Sequence, residues 1–432
     1  MKKLALFLFV FSCVVACNNK DVKKQEESFI KVENGKFIKN GSPYYFIGTN
    51  FWYGPILGST GVGGDRDRLH RELDTLKALG MENLRVLIGS DGDHNVFAKV
   101  EPTLQKTPGV YNDTLLDGLD YFMNELSKRD MTAVLYFNNS WEWSGGYTQY
   151  LMWAGYPDAP KPALDGYETY VDYASQFIRC DSAKQMHMNY IKDIVTRVNR
   201  YNGKKYTEDP TIFSWQICNE PRPFADSNKV LFAEWMENSA ALIKSLDTNH
   251  MVSSGSEGKY GCHVDMELFE KIHASKNFDY LNIHVWPHNW GWTDKKNVEG
   301  TVDNAIEKSK EYIDEHLIIA KKLGKPIVME EFGYPRDKAS FSCDVTVSAR
   351  DKFYKSMFEY VVNDAKNGGL MAGCNIWGWG GEAKYNLALR DFWKPCDDYC
   401  CDPAQEPQGL YSVFATDSTT INIIKNTWES IK

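Results

Sequence analysis

Several features that would point to common functions are scarce or missing here. No glycine-rich phosphate loop follows the first strand-like run, which removes the usual dinucleotide and P-loop signatures. Positive charge is in deficit: 49 Lys and Arg stand against 58 Asp and Glu, for a net charge of −9 and a pI of about 5.6. A nucleic-acid partner is therefore not expected, because such binding rests on neutralising phosphates with basic side chains. The cysteine cluster "CDDYCC" has no histidine at ligand spacing, so zinc is not expected either. No linker, composition shift or short repeat divides residues 29–432. What is abundant is aromatic surface: 13 Trp, 24 Tyr and 22 Phe, many in loop-like stretches, which suits the stacking of sugar rings or a protein interface.

The longest apolar run lies at the start. "MKK" supplies a basic leader, "LALFLFVFSCVVA" an apolar stretch too short for a comfortable membrane span, and "VVAC" the small residues before a cysteine. This resembles a bacterial lipoprotein signal over residues 1–16. It implies export, cleavage before Cys17 and lipidation of its thiol, with residues 17–28 as a polar tether. The alternative is a soluble secreted protein cut nearby. In an oxidising compartment Cys180, Cys262, Cys343, Cys396, Cys400 and Cys401, all in loop-like stretches, are disulfide candidates of open pairing. Cys218 and Cys374 fall in apolar runs and are expected to be buried thiols.

After a hairpin pattern with an Asn-Gly turn, "FIKVENGKFI", eight short apolar runs alternate with eight amphipathic ones. The apolar runs are "YYFIGTN", "NLRVLI", "TAVLYFN", "IFSWQICNE", "MVSSG", "YLNIHVW", "PIVMEEFG" and "GCNIWGW". The helical patterns between them include two that stop on Gly80 and Gly324. Eight such pairs in one undivided stretch predict an α/β fold, a (β/α)8 TIM barrel with long, aromatic-rich loops over residues 29–432. An open doubly wound sheet is the alternative.

In such a barrel the C-terminal strand ends face the ligand. That places Arg85 in strand two, Asn138 at the end of three, Asn219 and Glu220 of four, His284 of six, Glu331 of seven and Trp377 of eight on one rim. Strands four and seven face each other, so Glu220 and Glu331 are set across the mouth. Two carboxyls roughly 5 to 5.5 Å apart are the retaining-glycosidase arrangement. Arg85 is expected to hold Glu331 ionised as nucleophile. Apolar groups such as Trp215 or Trp377 are expected to keep Glu220 protonated as the acid.

With "NEP" after the fourth strand, "EFG" after the seventh and an Arg in the second, the sequence resembles the (β/α)8 retaining hydrolases of glycoside hydrolase family 5. Within them it is similar to the endo-β-1,4-mannanases. "GTNFWY", "NNSWEWSGGYTQYLMWAG", "HVWPHNW", "WGWGGEA" and "DPAQEPQGLYSVFATDST" look like mannanase segments in the right order. The resemblance implies Glu220 as acid/base and Glu331 as nucleophile, with Glu330 pointing the other way along the strand. It implies Arg85 and His284 in the polar shell, Asn219 on the sugar 2-hydroxyl, and Trp52 and Trp377 flanking the cleavage point. Trp286 stands where many members place a Tyr that bonds the nucleophile, and Lys384 where an Arg is expected.

The function so implied is cleavage of internal β-1,4-mannosidic bonds by a monomer. It needs no metal or organic cofactor, acts on a polysaccharide, and meets a membrane only through Cys17. Loop aromatics Trp141, Trp143, Trp153 and Trp393 are candidates either for stacking sugars or for pinning their loops. The alternatives are a related β-1,4-glucanase or xyloglucanase, a mannan transglycosylase, or a glycan-binding lipoprotein that has lost catalysis.

Overall fold

The computed structural model describes residues 29–92, 99–384, 393–395 and 397–431. The segment carrying Cys17, and Cys396, lie outside them. Eight parallel strands carry the fold: β1 (Phe46–Asn50), β2 (Met81–Leu87), β3 (Thr132–Tyr136), β4 (Ile212–Gln216), β5 (Met251–Ser253), β6 (Leu281–Val285), β7 (Ile327–Phe332) and β8 (Met371–Ile376). They pair in the order β5-β4-β3-β2-β1-β8-β7-β6, which closes one sheet nearly into a barrel. Across the remaining seam the Asp279 N–H donates to the Val252 carbonyl at 2.9 Å. The Ser254 and Gly255 N–H groups both donate to Asn282 Oδ1 at 3.0 Å.

Each strand is followed by a helix: α1 (Arg66–Ala78), α2 (Asp113–Ser127), α3 (Asp181–Val195), α4 (Lys229–Leu246), α5 (Met266–His273), α6 (Val298–Leu323), α7 (Ser348–Lys366) and α8 (Ser418–Ile431). Side-chain caps fix several starts, Asp65 on α1, Asn112 on α2, Asp265 on α5 and Asn297 on α6. Gly324 ends α6 in the left-handed region. No described helix is long and apolar enough to cross a membrane.

An N-terminal hairpin, Lys31–Glu33 paired with Lys36–Lys39, covers the base of the barrel. Its Phe37 is fully buried, edge-on to Phe213 at 5.0 Å and Tyr280 at 5.3 Å. Burial of one such ring contributes roughly 2–3 kcal/mol. The base is thus an apolar plug; the opposite end is polar.

The cysteines depart from expectation. Cys180, Cys262, Cys400 and Cys401 are buried free thiols. Neighbours at positions 400 and 401 send their sulfurs to different partners, Gln408 and the Asn50 carbonyl. Cys218 and Cys374 are buried thiols too.

Candidate active site

Above the plug the strands end in a cavity of 590 Å³ whose lining includes Asn219, Glu220, Glu331, Trp286 and Trp377. The regular part of β4 stops at Gln216, and Glu220 lies four residues beyond it. The Glu220 N–H donates to the Gly255 carbonyl at 3.0 Å, and its carbonyl accepts from Ser140 Oγ at 2.5 Å. Its backbone sits at φ +48°, a left-handed conformation that costs energy in a non-glycine residue and is held here by those bonds.

Oxygens of Glu220 and Glu331 and a ring nitrogen of His284 lie within 4.8 Å of one another. His284 Nδ1 is 2.8 Å from Glu220 Oε1 and 3.3 Å from Glu331 Oε2. Burial, then the charge of Arg85, keeps this imidazole neutral. The two carboxyls differ in their donors. Glu331 accepts from Arg85 Nη1 and, at 3.2 Å, from the Trp286 indole. Glu220 accepts from the Trp141 indole at 2.5 Å. Burial pushes both carboxyls upward, and the charge of Glu220 raises Glu331 further. Of the two, only Glu331 is bonded directly to a guanidinium, which favours its ionised form. These three groups are also where a cation would find ligands among the described residues, but N–H donors from Arg85, Trp141 and Trp286 already occupy the carboxylates.

Arg85 and His284 lie beneath the floor of the cavity, fully buried. The guanidinium orders the floor: Nε donates to Gln216 at 2.8 Å, Nη1 to Asn50 at 3.1 Å as well as to Glu331, and Nη2 to Asn219 at 2.8 Å. Its face rests on the Tyr136 ring at 4.6 Å. Asn219 Nδ2 is turned to Asn139 at 3.2 Å.

Besides Arg85 and His284, two more of the residues expected to meet substrate do not reach the cavity lining. Trp52 lies behind Trp143, ring centroids 5.8 Å apart, because its indole N–H is drawn to the Cys401 carbonyl at 2.8 Å. Asn138 folds back onto the Asn139 N–H at 2.7 Å, and its carbonyl holds the Asn219 N–H. Trp215, expected near Glu220, faces the outer layer, donating to Asp247 and stacking on Phe137. The exposed Lys384 is not part of the cavity lining. Trp393 stacks on Tyr399 and donates to the Asp397 carbonyl, which pins its loop.

Glu330 also departs from expectation. Rather than turning outward, it is fully buried in the barrel interior, bonded to Gln216 and Tyr280. The register between β6 and β7 shows why. Ile283 pairs with Met329 and the next residue, His284, with Glu331, so β7 carries one extra residue at this point. Such a bulge suspends the alternation and lets two successive side chains face the same side.

Residues that sequence reasoning did not single out complete the walls. Arg222 pairs with Glu257 through two bonds of 2.5 Å and lies over the Trp141 ring at 5.1 Å. Glu142 and Glu406 come from two different loops, and burial pushes them up to about 7 and about 8. "NEPR" places Arg222 two residues after Glu220, and the two loop acids lie inside the segments "NNSWEWSGGYTQYLMWAG" and "DPAQEPQGLYSVFATDST", signals available in advance for their place but not for their burial.

A family model described as "GH family 5 beta-mannosidase-like" matches residues 27–432. The chain belongs to glycoside hydrolase family 5. As a member of this family it is a glycoside hydrolase built on the (β/α)8 barrel described above. Its relatives include a protein of Oryza sativa subsp. japonica named putative mannan endo-1,4-beta-mannosidase 9, 30% identical, with 81% of each chain covered. Mannan endo-1,4-beta-mannosidase 5 of Solanum lycopersicum is 28% identical, with 93% of this chain and 92% of that one covered. Among solved structures, a family 5 mannosidase from Rhizomucor miehei in complex with mannosyl-fructose is 32% identical. It superposes with a TM-score of 0.86 over 94% of this chain and 97% of that one.

Proposed function

We propose that this glycoside hydrolase is an endo-acting β-1,4-mannanase that works by double displacement, with Glu331 as nucleophile and Glu220 as acid/base. The observation that carries the chemistry is the asymmetry of the carboxyl pair. Oxygens of the two lie within 4.8 Å, which suits retention rather than the wider gap that admits a water for inversion. Arg85 bonds directly to Glu331. Ionised Glu331 attacks the anomeric carbon while Glu220 gives its proton to the leaving oxygen. Glu220 then takes a proton from the water that cleaves the glycosyl-enzyme. Asn219, oriented by Arg85, is the group for the hydroxyl next to the reacting carbon, and Trp286 and Trp377 bound the ring. The two plant relatives' names support mannan as the substrate.

A second reading, removal of single mannosyl units from chain ends, is favoured by the likeness to the R. miehei mannosidase. One experiment separates the readings. Linear β-1,4-mannan is digested alongside cellulose and xylan, with the Glu331→Ala protein as blank, and products are sized while the anomer is followed by NMR. Mixed manno-oligosaccharides formed with retention support the endo reading, mannose alone the exo reading, and cleavage of cellulose discards mannan.

The first seventeen residues support export and a lipid anchor on Cys17, with residues 29–432 as a single catalytic domain acting as a monomer. Loss of fatty-acid labelling in Cys17→Ser tests the anchor, and sedimentation the monomer.

A further inference from the structure

Below the two carboxyls of the reaction lies a third that the reaction does not use. Glu330 is fully buried, and the extra residue in β7 puts it beside the nucleophile on the inside of the barrel. Its bonds are to neutral groups: Oε2 accepts from Gln216 Nε2 at 2.6 Å, and Oε1 is 3.1 Å from the Tyr280 hydroxyl. Arg85 is near, with Nε 3.6 Å from Oε2, but that N–H is donated to Gln216 Oε1 at 2.8 Å. Gln216 is therefore the link between acid and guanidinium. Its amide oxygen faces Arg85, and its amide nitrogen faces Glu330 and, at 3.0 Å, Ser253 Oγ. Turned over, it would set an NH2 against the Arg85 N–H and an oxygen against Glu330.

We propose that Glu330 is a positioning residue of the reaction: it fixes the orientation of Gln216, and through it the Arg85 fork that serves Glu331 and Asn219. It does so as a neutral carboxylic acid. The groups facing it are Arg85 from β2, Tyr280 just before β6, Asn282 from β6 and neutral Gln216 from β4, and among the described residues no N–H of a cation is hydrogen-bonded to it. Burial raises its pKa, and the charge of Arg85 together with hydrogen bonds from Gln216, Tyr280 and Asn282 only partly offsets this. A protonated Glu330 leaves the Arg85 charge undivided for the nucleophile; an ionised one would set two anions on a single buried cation.

The inference rests on Glu331 as nucleophile, and its test has an arm free of that assignment. Glu330→Gln and Glu330→Leu are made in the full chain. Carbonyl-stretch infrared spectra at pH 7, wild type minus Glu330→Gln, are expected to show the band of one protonated carboxyl lost. No lost band means an ionised Glu330 and overturns the proposal, whether or not the protein cleaves mannan. Kinetics on an aryl β-mannoside form the second arm. Glu330→Gln, which presents the same oxygen to Gln216 and a donor to Tyr280, is expected within about threefold of wild-type kcat/KM with an unshifted acidic limb. Glu330→Leu is expected to lose about tenfold or more in kcat, with the acidic limb moved up by about one pH unit as Glu331 loses its oriented cation. Should that variant not fold, Gln216→Leu breaks the same link and carries the same expectation. A folded Glu330→Leu or Gln216→Leu with wild-type kcat and limb, or a Glu330→Gln as damaged as Glu330→Leu, overturns the positioning role. If wild type cleaves no mannoside, the functional reading fails, and the infrared arm still decides the state of Glu330.

Discussion

The two ends of the barrel are built from the same eight strands and filled by opposite rules. At the base Phe37, Phe46, Phe213 and Tyr280 meet as rings over an apolar plug, while Tyr280 sends its hydroxyl upward to Glu330. At the rim, Arg85, Glu220, His284, Glu330 and Glu331 are buried together, although isolated buried charge is among the costliest things a fold can hold. One end supplies the free energy with which the other end is held in place. Active-site groups are thus expected to be replaceable with little loss of fold, and base residues with little loss of chemistry.

The sharpest way to break that division is at the proposed nucleophile. Glu331→Ala is expected to lose about 10⁴-fold or more in kcat while substrate still binds and the protein remains folded, read by single-turnover assay and thermal melting. Near-wild-type turnover would remove Glu331 from its role. Glu220→Ala is expected to lose about 10³-fold on polysaccharide, with the first step recovered on substrates whose leaving groups need no proton. A loss uniform over all leaving groups would count against it. At the base, Phe37→Ala is expected to cost about 3 kcal/mol in denaturant unfolding with kcat/KM of the folded protein unchanged. A catalytic loss there would show that the two ends are coupled.

Smaller effects probe the walls. Trp141→Phe removes an N–H that favours ionised Glu220, so the acid's pKa rises, the basic limb of the pH profile moves to higher pH, and kcat falls about tenfold or less. A limb moving to lower pH would exclude Glu220 as the group it reports. Glu142, buried and pushed up to about 7, binds a proton more tightly in the folded chain than in the unfolded one. Its contribution is complete below the ordinary carboxyl range and is lost as pH rises toward 7. Glu142→Gln is therefore expected to flatten the fall of melting temperature between pH 5 and 7, and an unchanged slope would contradict it.

Strand and helix order, and the pair of carboxyls across the mouth, were legible because they depend on periodicity and on which strand end a residue closes. What was not legible depends on departures from period. The extra residue at Glu330 has no local signature, since "VMEEFG" reads as ordinary alternation until its partner strand is known. Trp52 and Trp215 look like ligand or active-site aromatics in sequence, but each indole N–H is claimed by a distant acceptor, the Cys401 carbonyl and Asp247. The reverse holds for Trp141, whose use as a donor to Glu220 depends on how its loop folds over the mouth. The loop cysteines were read from compartment chemistry, and four of them pack as small apolar groups.

The hairpin that plugs the base also sets where the chain enters. Phe29 packs edge-on to His250 at 5.0 Å, and Ile30 lies in the basal cluster. Residue 29, where the described chain begins, therefore lies at the pole opposite the cleft. An immobilised support coupled at that pole would leave the mouth facing away from it, open to a polymer too large to pass between enzyme and support.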